Sequence, residues 1–346
     1  MLQKQEIAGA GKSATDRKVL VLGGTGAMGV YLVPELAAMG YEVKVVSADD
    51  VVSNDPRVSY VKADAKNSES MRDLLKGKFD AIVDFMIYGT EEFKKKHEHL
   101  LQSTTHYIFL SSYRVYNNMV PLTEESPRLL DTSKDKEFLT TEDYSLYKAR
   151  EEDILQNTTF GNWTIVRPAI TYSKRRFQLT TLEAHVFVSR AMKGLPVVIP
   201  REALSVQATM SWAGDVAKMI ARLLLNPAAF RECFTLATAE HRSWGEIAEY
   251  YKDIIGLKYV PADTEDYVKI MGGSQAARYQ LAYDRLFPRV VDNSKILKVT
   301  GLRQEDFMPL RKGLEKELSA LAKDAVWQDA SGIGNEMDNY VRRHGY

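Results

Sequence analysis

Tyr144 and Lys148 stand four residues apart in the run Tyr-Ser-Leu-Tyr-Lys, and Ser112 lies upstream in Ser-Ser-Tyr-Arg-Val-Tyr, directly after the apolar stretch Tyr107 to Leu110. On a helix, residues four apart project from one face, so an ammonium can act on a phenol. A free phenol, with a pKa of ~10, is a poor base at neutral pH. A cation ~4 Å away is worth roughly 4 kcal/mol at intermediate dielectric, which is up to about three pKa units. A phenol tuned in this way exchanges a proton with an alcohol or carbonyl while a serine hydroxyl orients the same oxygen. Ser111, one residue off register, and Tyr147, facing away from the pair, are second choices. What this chemistry still needs is a hydride acceptor.

The N-terminal segment provides a place for one. Lys18 to Leu22 is a β-branched and leucine run followed at once by Gly-Gly-Thr-Gly-Ala-Met-Gly, residues 23–29. This reads strand, glycine turn, helix. Gly23, Gly26 and Gly29 are spaced so that the chain turns tightly, backbone N–H groups approach a pyrophosphate, and the helix packs closely on the sheet. Further strand-like runs at Val43 to Val46, Val58 to Val61, Ala81 to Phe85, Tyr107 to Leu110 and Trp163 to Val166 alternate with helical patterns, which predicts a doubly wound parallel sheet. After Pro168 the alternation breaks. Leu179 to Lys193 reads as a helix ending at Gly194, and a substrate domain begins there.

Further motifs follow in order: Asp64 after the third strand, Val-Arg-Pro at 166–168, Gly-Asp-Val-Ala at 214–217, Phe-Thr-Leu-Ala-Thr at 234–238, and Asp-Asn-Ser-Lys-Ile with Thr-Gly-Leu near 292–302. With them the chain resembles the extended short-chain dehydrogenase/reductase superfamily, in its branch of NAD-dependent epimerases and dehydratases. The resemblance implies an α/β fold: a Rossmann-like doubly wound parallel sheet with a smaller, interleaved C-terminal substrate domain. The first would span 17–170 with a return segment about 205–240, and the second 171–204 and 241–325. A flexible tail over 1–16 and a C-terminal tail over 326–346, holding a peripheral helix, would flank them. The resemblance also implies Tyr144 as general acid/base, Lys148 tuning it and holding the nicotinamide ribose, and Ser112 orienting the substrate oxygen. Thr25, Ala27 and Met28 would complete the glycine loop at the cofactor, with Phe85 and Pro168 beside it and Asp64 at the adenine. Where the family often carries an acid for the adenosine ribose, this chain has Ser47. Asp49 and Asp50 follow and no lysine or arginine adjoins Ser47, which favours NAD and leaves NADP as the alternative.

Departures from the family narrow the reaction. Sugar-nucleotide 4,6-dehydratases carry an Asp-Glu pair after the hydroxyl residue, and the related decarboxylases a glutamate in the second place. Here Tyr113 and Arg114 stand there, so those eliminations lack their carboxylate. Arg114 becomes a candidate for binding an anionic substrate group. An arginine that clamps a pyrophosphate in many epimerases is replaced by Ala208, and Lys174, Arg175 and Arg176 are candidates to take over that contact. The expected activity is NAD-dependent oxidoreduction or epimerisation at a hydroxyl or ketone of a sugar or sugar-nucleotide-like substrate. The alternatives are net carbonyl reduction of a non-nucleotide small molecule and, from another class, a non-catalytic NAD(P)-sensing or RNA-associated protein of the same fold.

Composition bounds these readings. Among 346 residues, 46 Lys plus Arg balance 46 Asp plus Glu, so no global field favours nucleic acid or an acidic membrane. Cys233 is the only cysteine, which excludes an intrachain disulfide. His97 and His99 are two apart and do not converge on a metal on a helix, so no metal site is expected. The first sixteen residues lack the apolar core of a signal peptide and no stretch could span a bilayer, so the expectation is cytoplasmic. By resemblance, a homodimer would form through helices at Glu91 to Ser103 and Asp143 to Asn157.

Overall fold

The computed structural model describes residues 16–321 and 327–345. Six short apolar runs form the first strands: β1 Lys18–Leu22, β2 Glu42–Ser47, β3 Val58–Lys62, β4 Phe79–Asp84, β5 Thr104–Leu110 and β6 Trp163–Pro168. A parallel sheet covered on both faces requires runs of this kind rather than alternation. Within β1, Val19 and Val21 pack on one face with Leu32, Leu36, Ile220 and Phe234. Leu20 and Leu22 pack on the other with Ile82, Phe93, Leu100, Phe109 and Leu155, as a period of two dictates.

Beyond β6 the strands shorten: β7 Ile170–Tyr172, β8 Gln178–Leu179, β9 Leu182–Glu183, β10 Val197–Pro200 and β11 Gln207–Trp212. β12, Glu232–Leu236, then rejoins the main sheet beside β6. The resulting order is β12-β6-β5-β4-β1-β2-β3, all parallel. It reverses direction between β1 and β4, and a crevice opens at the carboxyl ends of strands at such a reversal. The C-terminal part adds β13, His241–Ser243, beside β11, and β14, Tyr259–Ala262, beside β10. Its core gathers Tyr172, Phe187, Val198, Trp244, Ile247 and Leu314.

Two elements differ from the sequence reading. The helix expected over Leu179 to Lys193 begins only at Ala184, because β8 and β9 form a hairpin whose turn residue Thr180 has φ +52°. Within 326–346, expected as a peripheral helix and tail, the helix Ser331–Arg343 is packed in rather than peripheral: it buries Gly334, Met337 and Tyr340, three apart on one face, against the C-terminal core. The expected N-terminal tail lies, through residue 15, outside the described residues. Among the described residues, no helix is long and apolar enough to cross a membrane.

Candidate active site

The glycine loop follows β1 directly at the reversal point. Gly23 has φ +73°, a left-handed conformation that strains any residue with a Cβ, and its N–H donates to the Val46 carbonyl at 2.9 Å. A Cβ on Gly29 would lie 2.3–2.5 Å from the Gly24 backbone, so only glycine lets the helix Gly29–Ala38 start this close to the turn. Gly26 is exposed, with Thr25, Ala27 and Met28 half-buried around it. This cradle of glycines at a helix N-terminus fits a pyrophosphate. At the end of β2, Ser47 is buried, its hydroxyl 2.7 Å from that of Thr25, and it accepts from the Asp49 N–H at 3.0 Å. Asp49 is exposed. Although no cation adjoins Ser47 in the sequence, Lys62 is its register partner on β3, and Asp50 pairs with that ammonium at 3.2 Å. Asp64 is exposed and caps a turn by accepting from the Lys66 N–H at 2.8 Å.

A cleft of about 320 Å³ opens beside this loop and brings together Met28, Phe85, Ser112, Arg114, Tyr144 and Pro168. Ser112 follows β5 in extended backbone, and its hydroxyl accepts from the Arg114 N–H at 3.2 Å. Tyr144 is the first residue of the helix Tyr144–Gln156, which Asp143 caps by accepting from the Ser145 N–H at 2.9 Å. The positive end of the helix dipole thus lies at the phenol. Tyr147 does not face away. Three residues on, it meets Tyr144 edge-on with ring centroids 5.4 Å apart. Ser111 donates to Glu152 at 2.5 Å, and Glu152 is clasped by Arg167 at 2.8 and 2.7 Å. Burial would raise the Glu152 carboxyl, but Arg167, Ser111 and Arg128 outweigh it and hold it low. This network locks β5, β6 and the helix together behind Tyr144.

Lys148 is fully buried, over the Phe109 ring at 4.7 Å, and its ammonium donates to Glu151 at 2.9 Å. It does not line the cleft. The Glu151 carboxyl, also fully buried, is pushed up to about 7 by burial against the pull of Lys148, with Asp84 adding to the rise. Asp84 ends β4 and is fully buried. Burial raises its carboxyl despite hydrogen bonds from the Met86 N–H at 2.9 Å, Tyr107 at 2.8 Å and Tyr88 at 3.1 Å.

The opposite wall carries cations. Arg114 stacks on Tyr144 at 5.2 Å and pairs with Asp143 at 3.6 Å and Asp284 at 3.5 Å. Arg285 also lines the cleft, donating to the Thr180 carbonyl at 2.7 Å and to Gln178 at 3.1 Å. Burial would raise the Asp284 carboxyl, but Arg285, Arg289 and Arg114 outweigh it and keep it below its ordinary range. Of the three consecutive cations, only Arg176 reaches the cleft, 3.9 Å from Glu183. Lys174 and Arg175 are exposed on the turn.

The NAD dependent epimerase/dehydratase family model matches residues 19–234, from β1 to β12. The chain belongs to this family. Among solved structures it is similar to an epimerase of Methanothermobacter thermautotrophicus, at 15% identity and TM-score 0.65, covering 94% of each chain. It is also similar to the Thermus thermophilus UDP-glucose 4-epimerase in complex with NAD, at 19% identity and TM-score 0.63, covering 89% of this chain and 100% of that one. A UDP-glucose 4-epimerase with UDP-glucose from Thermotoga maritima matches at 16% identity and TM-score 0.64, covering 87% and 97%. These likenesses establish the fold. A curated relative, a chloroplast stem-loop binding protein of 41 kDa from Arabidopsis thaliana, is 23% identical over 254 residues, spanning 68% of this chain and 63% of its own length.

Sequence reasoning missed Glu151, Asp84 and the Asp284–Arg285–Arg289 cluster. Two signals were present. Glu151 is three residues after Lys148, a helical pairing distance, and Asp84 is a carboxylate closing an apolar strand.

Proposed function

We propose that the protein is an NAD-dependent epimerase or oxidoreductase acting on a hydroxyl or ketone of a sugar or sugar-nucleotide. The observation that carries this reading is the convergence of Ser112 and Tyr144 on one cleft beside a glycine loop in which a side chain would be strained at Gly23 and would clash with backbone at Gly29. NAD bound along that loop would supply the hydride acceptor. Tyr144 would then take the proton from the substrate hydroxyl, and Ser112 would hold the same oxygen. Lys148 would hold the ribose, and Arg114, Arg176 and Arg285 would face the substrate's anionic end. Asp64, exposed and with one carboxylate oxygen outside its turn, would meet the adenine. Dehydration of the 4,6 type is disfavoured because Tyr113 is buried with its hydroxyl raised by burial and Arg114 is a cation, so neither place offers a carboxylate. The homodimer is retained as part of this reading, with the helices Thr90–Gln102 and Tyr144–Gln156 as its interface. A monomer in light scattering would remove it.

A panel of nucleotide sugars and simple hydroxy compounds, screened for transient reduction of bound NAD, tests the reading. Tyr144→Phe is expected to lower turnover by about 10²–10⁴ while leaving cofactor affinity unchanged. Unaltered turnover in that variant would remove Tyr144 from the mechanism.

The name of the Arabidopsis relative supports a second reading, stem-loop binding. Balanced charge weighs against it, since phosphate contacts depend on clustered cations. Salt-sensitive retention of a hairpin RNA by both the wild type and Tyr144→Phe would favour it.

A further inference from the structure

Glu151 has no part in the chemistry above, yet it is the partner that the structure gives Lys148. The Nζ to Oε2 distance is 2.9 Å and neither side chain is exposed. The second oxygen, Oε1, is buried without a hydrogen-bond partner. A carboxylate in that position stays ionised only because an ammonium touches it. The titratable groups facing it are Lys148 and Tyr147 on its own helix, Glu142 just before that helix, Asp84 at the end of β4, Tyr88 beyond it, and Tyr107 on β5. Lys148 is the cation in that set.

Lys148 is fully buried with its ammonium on Glu151, so on the cofactor reading proposed above, on which this inference rests, the side chain has to swing out of that contact to meet a ribose hydroxyl in the cleft. We propose that Glu151 is a positioning residue that holds Lys148 back in the free protein and exchanges it for a proton when the cofactor site fills. The Nζ–H···Oε2 bond breaks, Nζ donates to the ligand hydroxyl instead, and the Glu151 carboxylate takes one proton from solvent. Without Lys148, a buried carboxylate whose charge is opposed by those of Asp84 and Glu142 takes up a proton near neutrality. Burial already pushes this carboxyl up to about 7 in the presence of Lys148, so a further rise on losing it spans the physiological range.

The test is calorimetric titration of the full chain with NAD in two buffers of different ionisation enthalpy, which counts protons directly. The expected result is uptake approaching one proton at about pH 8 and much less at about pH 6, with affinity falling as pH rises. In Glu151→Gln the uptake should vanish, and affinity should equal or exceed that of the wild type at the higher pH. Proton-free binding by the wild type overturns the proposal even if the variant fails to fold. Equal uptake in both proteins overturns it too. Absence of binding in both is a different result: it overturns the cofactor reading and this proposal with it.

Discussion

Two buried charge clusters lie near Tyr144, one set back from the cleft and one reaching its lining, and they are unbalanced in opposite senses. On the Rossmann side one ammonium, Lys148, serves two carboxyls, Glu151 in contact and Asp84 within electrostatic reach. On the C-terminal side one carboxylate, Asp284, serves Arg114, Arg285 and Arg289. Burial wins in the first, raising both carboxyls. The guanidiniums win in the second and lower the one. Guanidinium stays charged at any relevant pH, whereas a carboxyl near 7 does not. Proton traffic therefore falls to the Rossmann-side cluster and fixed charge to the other.

The charge balance is most vulnerable at Asp284. Replacing it by Asn leaves the buried Arg285 and Arg289 without their anion, while Arg114 keeps Asp143, and the expected cost is about 3–5 kcal/mol in urea unfolding. A loss under about 1 kcal/mol would show that packing, not charge, holds that wall.

The next test uses pH. The folded Glu151 carboxyl, near 7, binds its proton more tightly than the unfolded one at 4.5, so this stabilisation is complete below 4.5 and is lost as pH rises through 7. Between those limits the wild type should lose about 3 kcal/mol relative to Glu151→Gln. Asp284 has the opposite sign: its stabilisation is present above its ordinary 3.8 and is lost on acidification. Parallel stability profiles for the wild type and Glu151→Gln would contradict the assignment of Glu151.

How much of this was legible follows from where each interaction lies along the chain. β1, the glycine loop and the first helix were readable because apolar period, turn and close approach are all local in sequence. Ser112 was readable after the apolar run of β5, whereas its meeting with Tyr144 was implied by the family resemblance and not by any local pattern. The partner of Lys148 was not read, although Glu151 is only three residues away, because burial of that pair depends on β4 and β5. The Asp284 cluster was beyond reach for a further reason. Leu281–Arg285 is a π-helical turn, which breaks the 3.6-residue period and turns Asp284 inward to Arg114, 170 residues earlier, and Arg285 inward to Gln178. Lys174 and Arg175 failed to reach the cleft because a tight turn closed by the Ser173–Arg176 bridge leaves only its last residue facing inward.

That turn supplies the smallest of the expected effects. Arg176→Ala should raise the KM for an anionic substrate roughly tenfold, about 1.4 kcal/mol, with Lys174→Ala and Arg175→Ala near unity. Equal effects at all three positions would point to diffuse electrostatics instead of a directed contact.

The most direct test of the central claim is to denature the purified protein, identify any released nucleotide, and titrate the protein with NADH and NADPH by nicotinamide fluorescence. The account predicts NAD(H), either retained or bound saturably and more tightly than NADPH. A protein that neither carries nor binds a nicotinamide nucleotide would contradict it.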